Sequence, residues 1–402
     1  MIEKRNLFKK KILKELYFSN TLSCAELGMK IEKSIPITIK LLNDLIEEGN
    51  VIEKGYATST GGRRPLTYSL NKDVMYVISV AMDQFVTKIA IMDMQNNFVF
   101  PVEKIELPLT LDPKPIALLI EKIDQIILLS NISKDKILGI GIGMPGIVNV
   151  SKGINYSFFH SQDKSITQQI ADATGLPVFI DNDSSLIALA ELRFGSAQGK
   201  KNAMVINIGW GIGLGLILNG ELFRGNNGFA GEFSHIPLFT NNKLCSCGKS
   251  GCLETETSLL TIIQKAKEGL NLGRLTKLNS SFFEHIDQAI ESIIEASQEG
   301  DRFAIELFSE AGYNIGRGVA ILIHILNPEI IILSGRGSSA GKIWQAPIQH
   351  ALNEHCIPRL YHGTTIEIST IGYKAELIGA AALVMENYEN IPVEKNIRMV
   401  MN

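Results

Sequence analysis

The stretch AMVINIGWGIGLGLILNGELF, residues 203–223, constrains the fold most. Its aliphatic runs fit a pair of buried strands, with Asn219-Gly220 as a hairpin turn. Glycine stands at every second position from 209 to 215, and two readings follow. A glycine turn can carry backbone N–H groups up to a phosphate, or a buried strand can be rich in glycine for other reasons. Trp210 puts an indole into the middle of either. A second hairpin begins at 77, where YVISVAMD and TKIAIMD are joined through Gln84-Phe85-Val86, and it lacks the glycines. The two hairpins occupy matching places in an alternation of strands and helices that starts near Tyr76. ILGIGIGMPGIV reads as a buried strand, and LPVFIDNDSSLIALAELRFG as a strand entering a helix through Asp181-Asn182-Asp183. EIIILSG and TIEISTIG interrupt a mostly helical remainder after residue 257. Two α/β lobes of similar design imply a cleft, the usual place for a small ligand.

The first 72 residues have a different character. They hold 13 Lys and Arg against 8 Asp and Glu, a balance of +5, whereas the whole chain stands at −3. Phe8, Ile12 and Leu16 recur at helical spacing and leave Lys9, Lys10, Lys11 and Lys14 mostly outward. Ser23 is a cap for a short second helix, and Ser34 for a third with Pro36 in its first turn. The third helix buries Leu42, Leu45 and Ile46 and stops at Gly49; VIEK and LTYSL then flank the loop GYATSTGGRRP. Three helices and such a hairpin describe a winged helix-turn-helix. Ser34, Thr38 and Lys40 would meet base edges, and Arg63 and Arg64 in Gly61-Gly62-Arg63-Arg64-Pro65 would enter a narrow minor groove. The competing reading is a basic loop on a three-helix protein-interaction module.

No apolar run in the 402 residues approaches the length of a membrane span, and the charged N-terminus lacks a signal peptide, so a cytoplasmic location is expected. Of five cysteines, Cys24 and Cys356 stand alone as packing residues. The other three belong to GEFSHIPLFTNNKLCSCGKSGCLE, where His235, Cys245, Cys247 and Cys252 form H-x9-C-x-C-x4-C. One imidazole and three thiolates satisfy tetrahedral zinc, and four protein ligands leave no open position, so the metal would be structural. Gly248 and Gly251 allow the tight loop.

This segment, with GMPGIV, IDND, GFAGEFSHI and ILSGRG in order, resembles the ROK family of repressors, open reading frames and kinases, over nearly the whole chain. The resemblance implies a winged helix-turn-helix followed by a two-lobe, actin-like α/β domain of the sugar-kinase (ribonuclease H-like) type. The implied domains are 1–72, a first lobe at 73–195 completed by the C-terminal helix from about 376, and a second lobe at 196–375. It also implies sugar contacts at Asn182, Asp183, Glu232, His235 and Glu254, and an adenosine-side segment at Ser334 to Gly337. Carboxylates and an amide are the acceptors and donors that sugar hydroxyls need. His235 could bind zinc through one nitrogen and a hydroxyl through the other.

Kinases of the family resemble Asp-x-Gly-Gly-Thr-Lys in the first hairpin and Gly-Thr-Gly in the second. Here the first reads Asp83-Gln84-Phe85-Val86-Thr87-Lys88 and the second Gly209-Trp210-Gly211. Side chains stand where phosphate oxygens need room, and phosphoryl transfer depends almost wholly on such positioning. The expectation is therefore a degenerate kinase domain without enzymatic activity. It would serve a sugar-responsive regulator, a repressor of carbohydrate uptake or catabolism genes. The partners expected are double-stranded operator DNA, a sugar or sugar-phosphate effector, structural zinc, and a second copy of the chain in a dimer or tetramer. A sugar kinase with Asp183 as base and an appended DNA-binding domain is the first alternative; a DNA-binding protein with a purely structural cleft is the second.

Overall fold

In a computed structural model the chain is described for residues 2–57, 64–159 and 163–391. It divides into two compact units, one running to Asp183 and resuming at Leu377, the other from Ser184 to Glu376.

Unit one opens with helix α1 (Ile2–Ser19), strand β1 (Leu22–Ser23), α2 (Cys24–Lys30), α3 (Ile35–Glu47), β2 (Val51–Tyr56) and β3 (Leu66–Leu70). The strands form an antiparallel sheet in the order β1-β3-β2, an arrangement compatible with a winged helix-turn-helix. Ser23 caps α2 in a reciprocal box with Glu26, as the sequence suggests. Ser34 precedes α3 without a side-chain cap bond, and Gly49 takes φ +73° after the helix. Lys9, Lys10 and Lys14 of α1 are not outward. Lys10 is buried and donates to the Ile391 carbonyl, and Lys14 donates to Glu386 O at 2.9 Å and Glu389 Oε1 at 3.2 Å. Lys9 pairs with Glu48 and Asp44, and Arg5 with Asp44. Much of the basic excess read from the sequence is thus spent inside the unit. Gly61, Gly62 and Arg63 lie outside the described residues; Arg64 is described and exposed.

The rest of unit one is β4 (Tyr76–Met82), β5 (Thr87–Met92), β6 (Glu103–Ile105), α4 (Pro115–Ser130), β7 (Ile137–Met144), the short pair β8 (Val148–Asn149) and β9 (Ile154–Asn155), α5 (Ile166–Thr174) and β10 (Val178–Asn182). Helix α6 (Asp183–Phe194) follows β10 directly. Unit two contains β11 (Ala203–Ile208), β12 (Ile212–Leu218), β13 (Glu221–Phe223), α7 (Glu254–Thr257), α8 (Leu259–Asn271), α9 (Ile286–Gln298), α10 (Arg302–Leu326), β14 (Ile330–Ser334), α11 (Gln345–His355), α12 (Pro358–Tyr361) and β15 (Thr365–Ile368). The last helix, α13 (Ala375–Glu386), carries the chain back into unit one.

The two large sheets have the orders β6-β5-β4-β7-β10 and β13-β12-β11-β14-β15. In each, three antiparallel strands are followed by two parallel ones. The duplication suspected from the two hairpins is therefore present strand for strand. The 203–223 stretch holds three strands rather than two, because Gly209-Trp210-Gly211 is itself a turn and Asn219-Gly220 a second one, both its residues at positive φ. Each sheet backs its own core, one around Ile78, Ile89 and Ile142, the other around Ile206, Phe308 and Trp344.

Candidate functional site

The site in unit two is built on a loop anchored from beneath. Gly231 takes φ +97°, and a Cβ there would stand 2.3 Å from Leu214 O, so only glycine lets the loop lie against β12. Glu232 then enters a single turn, Phe233–His235, whose Phe233 is buried in the core. Chain reversal after Pro237 brings Cys252 back opposite it, and the Leu253 amide donates to Ile236 O at 3.0 Å. Between them Cys245 N bonds Lys249 O at 2.8 Å, with Gly248 at φ +82° and Gly251 at φ +76°. A Cβ on Gly251 would lie 2.0 Å from Phe239 O, so both glycines are required by the fold of this loop.

The result is a cluster in which the ligand atoms of His235, Cys245, Cys247 and Cys252 all lie within 4.8 Å of one another. His235 Nδ1 is 3.6 Å from Cys245 Sγ, and Cys247 Sγ is 3.6 Å from Cys252 Sγ. Metal–ligand bonds of about 2.0–2.3 Å put the edges of a zinc tetrahedron at roughly 3.5–3.8 Å, so the spacing suits that ion. The Cys252 thiol is pushed up to about 12 by burial and by Cys247 and Cys245 beside it. Three crowded thiols of this kind are stabilised as thiolates by a divalent cation. The residues can hold a metal.

The other face of the His235 ring points at carboxylates. Nε2 lies 3.6 Å from Glu232 Oε2. Glu254, first residue of α7, follows the buried Leu253 and accepts from the Ile212 amide. Burial raises the Glu254 carboxyl above its ordinary range; His235 and the Ile212 amide draw it down, and Glu232 pushes it up again. Burial also raises Glu232, with His235 opposing. Two carboxyls and an imidazole nitrogen in one patch offer acceptors, and when protonated donors, to neighbouring hydroxyls. The metal cluster fixes the ring from its opposite edge. Asn182 and Asp183, at the C-terminal end of β10, belong to unit one; both are half-buried, and Asn182 Nδ2 donates to Gly146 O at 3.1 Å.

The glycines of the second hairpin have local reasons. A Cβ on Gly211 would stand 2.9 Å from Glu254 Oε2. On Gly213 it would lie 1.9 Å from Ser184 Oγ, and on Gly215 2.2 Å from the Ala188 Cβ, both on α6. None of the three has positive φ. Gly213 and Gly215 serve helix-on-strand packing, and Gly211 makes room for a carboxylate of the candidate sugar patch. Trp210 is buried in the unit-two core, with the Arg336 guanidinium 4.6 Å from its ring centre and Asp287 2.9 Å from Arg336 Nη1. Nearby Ser334 donates at 3.3 Å to Glu191, a carboxyl that sequence reading missed. Glu191 is fully buried and held above its usual range by burial, while Ser369, the Ser196 amide and Ser334 draw it down. Its serine partners are 143 and 178 positions away, so no local signal could reveal it.

In the first hairpin Asp83 Oδ1 accepts from the Phe85 and Val86 amides, each at 2.8 Å. Two N–H groups of the turn are thus taken by the protein's own carboxylate. In the N-terminal module Ser34 and Lys40 are exposed. Thr38 is not: it is fully buried and its hydroxyl donates to Ser34 O at 3.1 Å, so it holds the helix turn rather than reaching a base edge. Among the described residues no helix is long and apolar enough to cross a membrane.

The ROK family model matches residues 80–387. A xylose repressor of Caldicellulosiruptor bescii is 31% identical over 392 residues, covering 95% of this chain and 96% of its own. A glucokinase of Halalkalibacterium halodurans is 34% identical over 257 residues, covering 63% of this chain and 78% of its own. The crystal structure of a ROK family transcriptional regulator, a homologue of the Escherichia coli Mlc protein, superposes with a TM-score of 0.79 at 26% identity, covering 98% of this chain and all of its own.

Proposed function

The chain belongs to the ROK family, and on that premise we propose that it is a sugar-responsive transcriptional repressor which has given up phosphoryl transfer. The observation that carries this reading is co-linearity with a repressor from end to end. The match to the xylose repressor spans 95% of the chain, so it takes in the helical module ahead of residue 80, whereas the glucokinase match spans 63%. Operator DNA is bound through α3, with Ser34 and Lys40 as contacts, and through the wing, with Arg63 and Arg64. Thr38 drops out of that set because it is buried.

The effector is a sugar or sugar phosphate. Glu232, His235 and Glu254 receive its hydroxyls, and Asn182 and Asp183 are retained on the family resemblance. The Cys245, Cys247, Cys252 and His235 cluster holds zinc, which supplies a rigid brace for the imidazole and no reaction step. Two features support the loss of kinase activity: Phe85 and Val86 stand in place of both glycines of the first turn, and Trp210 fills the second turn. A dimer reading a near-palindromic operator is the expected assembly. Sugar acts by favouring one DNA-binding geometry over another.

Gel shifts at fixed salt against DNA flanking its own gene, with a panel of pentoses and hexoses, test the proposal. One sugar should change DNA affinity, and Glu254→Ala should remove that response while leaving sugar-free binding intact. Arg63→Ala with Arg64→Ala should weaken binding on every sequence tried; unchanged affinity would sink the wing assignment. ATP- and magnesium-dependent phosphorylation of a sugar that is lost in Asp183→Asn would overturn the claim about catalysis.

A further inference from the structure

Helix α3 turns an apolar surface to solvent. Its buried side consists of Thr38, Leu41, Leu42 and Leu45, so the helical period points Pro36, Ile39, Lys40 and Asn43 outward, with Ile35 and Ile37 on the two flanks. Ile35, Ile37 and Ile39 keep 53%, 49% and 45% of their surface exposed. Single exposed aliphatics need no explanation, but three within five residues on one short helix do. Nor do they help the helix form, since β-branched side chains lower helix propensity where packing does not reward them.

Residues 35–39 lack exposed groups that read bases by hydrogen bonding. Residues 35–39 are Ile, Pro, Ile, Thr and Ile, and the single hydroxyl among them is buried and bonded to Ser34 O. The major groove carries one apolar mark, the 5-methyl group of thymine. The surroundings match a nucleic acid rather than an apolar protein face: Lys40 is exposed on the same outward side, and Lys54 and Arg64 are exposed on the segment that follows. Cations grip phosphates and set register, while the apolar side chains between them meet the base edges.

We infer that Ile35, Ile37 and Ile39 read thymine methyl groups in the major groove, so that the operator carries A·T pairs beneath the first two turns of α3. The inference rests on the DNA-binding reading above and narrows it to one kind of base contact.

Full-length protein would be used to select duplexes from a randomised 30-base-pair pool at fixed salt. The retained duplex is then compared with a copy in which deoxyuridine replaces every thymine, which deletes the methyl groups and keeps base pairing. Affinity should fall about fourfold for each contacted methyl. Replacing Ile35, Ile37 and Ile39 together by alanine should make the protein bind both duplexes alike, with an essentially unchanged melting temperature because the side chains are about half exposed. Equal binding of wild-type protein to both duplexes would overturn thymine readout and leave the DNA reading standing. Failure to select any duplex would overturn both. Self-association abolished by the triple variant, with DNA affinity untouched, would reassign the face to a second copy of the chain and overturn the inference.

Discussion

Gly215 and Gly209 sit six residues apart in one hairpin and are glycine for different reasons. A Cβ at 215 would collide with the Ala188 Cβ at 2.2 Å and with Ser184 O at 2.7 Å, whereas the nearest atom to one at 209 is 3.6 Å away. Neither residue has positive φ, so steric room alone separates them. Gly215→Ala should therefore cost about 1–3 kcal/mol in a denaturant titration, the usual cost of overpacking. Gly209→Ala should cost less than about 1 kcal/mol. Equal losses would show that the hairpin glycines serve something other than the seating of α6. Alternating glycines were visible in the sequence, but not their purpose, because the atoms that forbid a side chain at 213 and 215 come from Ser184 and Ala188 on the preceding helix α6.

At the scale of elements, the metal loop is where local sequence says most. H-x9-C-x-C-x4-C names all four residues of the cluster that could hold a metal, and both glycines adopt the left-handed backbone that the loop needs. We expect about one zinc per chain by metal analysis, and a melting temperature lowered by several degrees on chelation or in Cys247→Ser. Absence of metal together with freely reactive Cys245 and Cys247 would remove the assignment. The same loop sets the carboxylates: Cys252, Leu253 and Glu254 are consecutive, so loosening the loop should weaken the sugar response too. The β4–β5 turn illustrates the opposite case. Missing glycines were legible in Gln84-Phe85-Val86, but the capture of two amides by Asp83 was not. An Asx turn has no unique spacing signature, and the same Asp-to-Thr spacing occurs where a phosphate is bound.

Across the molecule, the N-terminal module is fastened into unit one by the chain's other end. Tyr388 is buried with its hydroxyl 3.6 Å from Met75 Sδ, and Lys10 lies over its ring at 5.5 Å while donating to Ile391 O. Tyr17 on α1 donates to Asn96 at 2.5 Å. Replacing the buried ring in Tyr388→Ala should cost about 3–5 kcal/mol, as large-to-small core changes do. Calorimetry should show unit one melting earlier and DNA affinity falling with it, while zinc content in unit two stays at the wild-type level. Zinc loss in the same variant would mean that the effect is not confined to unit one.

The sequence by itself determined the duplicated α/β plan, the four residues of the Cys/His cluster, and the absence of glycine from the β4–β5 turn. Each of these is written in short-range patterns: strand-length aliphatic runs, fixed Cys and His spacing, and the run Gln84-Phe85-Val86. Only the tertiary structure decided that Thr38 is buried, that Lys10 and Lys14 are engaged by Ile391, Glu386 and Glu389, and that Gly211 makes room for Glu254. The physical reason is range. A lysine looks the same in the sequence whether its neighbour is water or a carbonyl more than 370 residues away, and folding alone brings that carbonyl near.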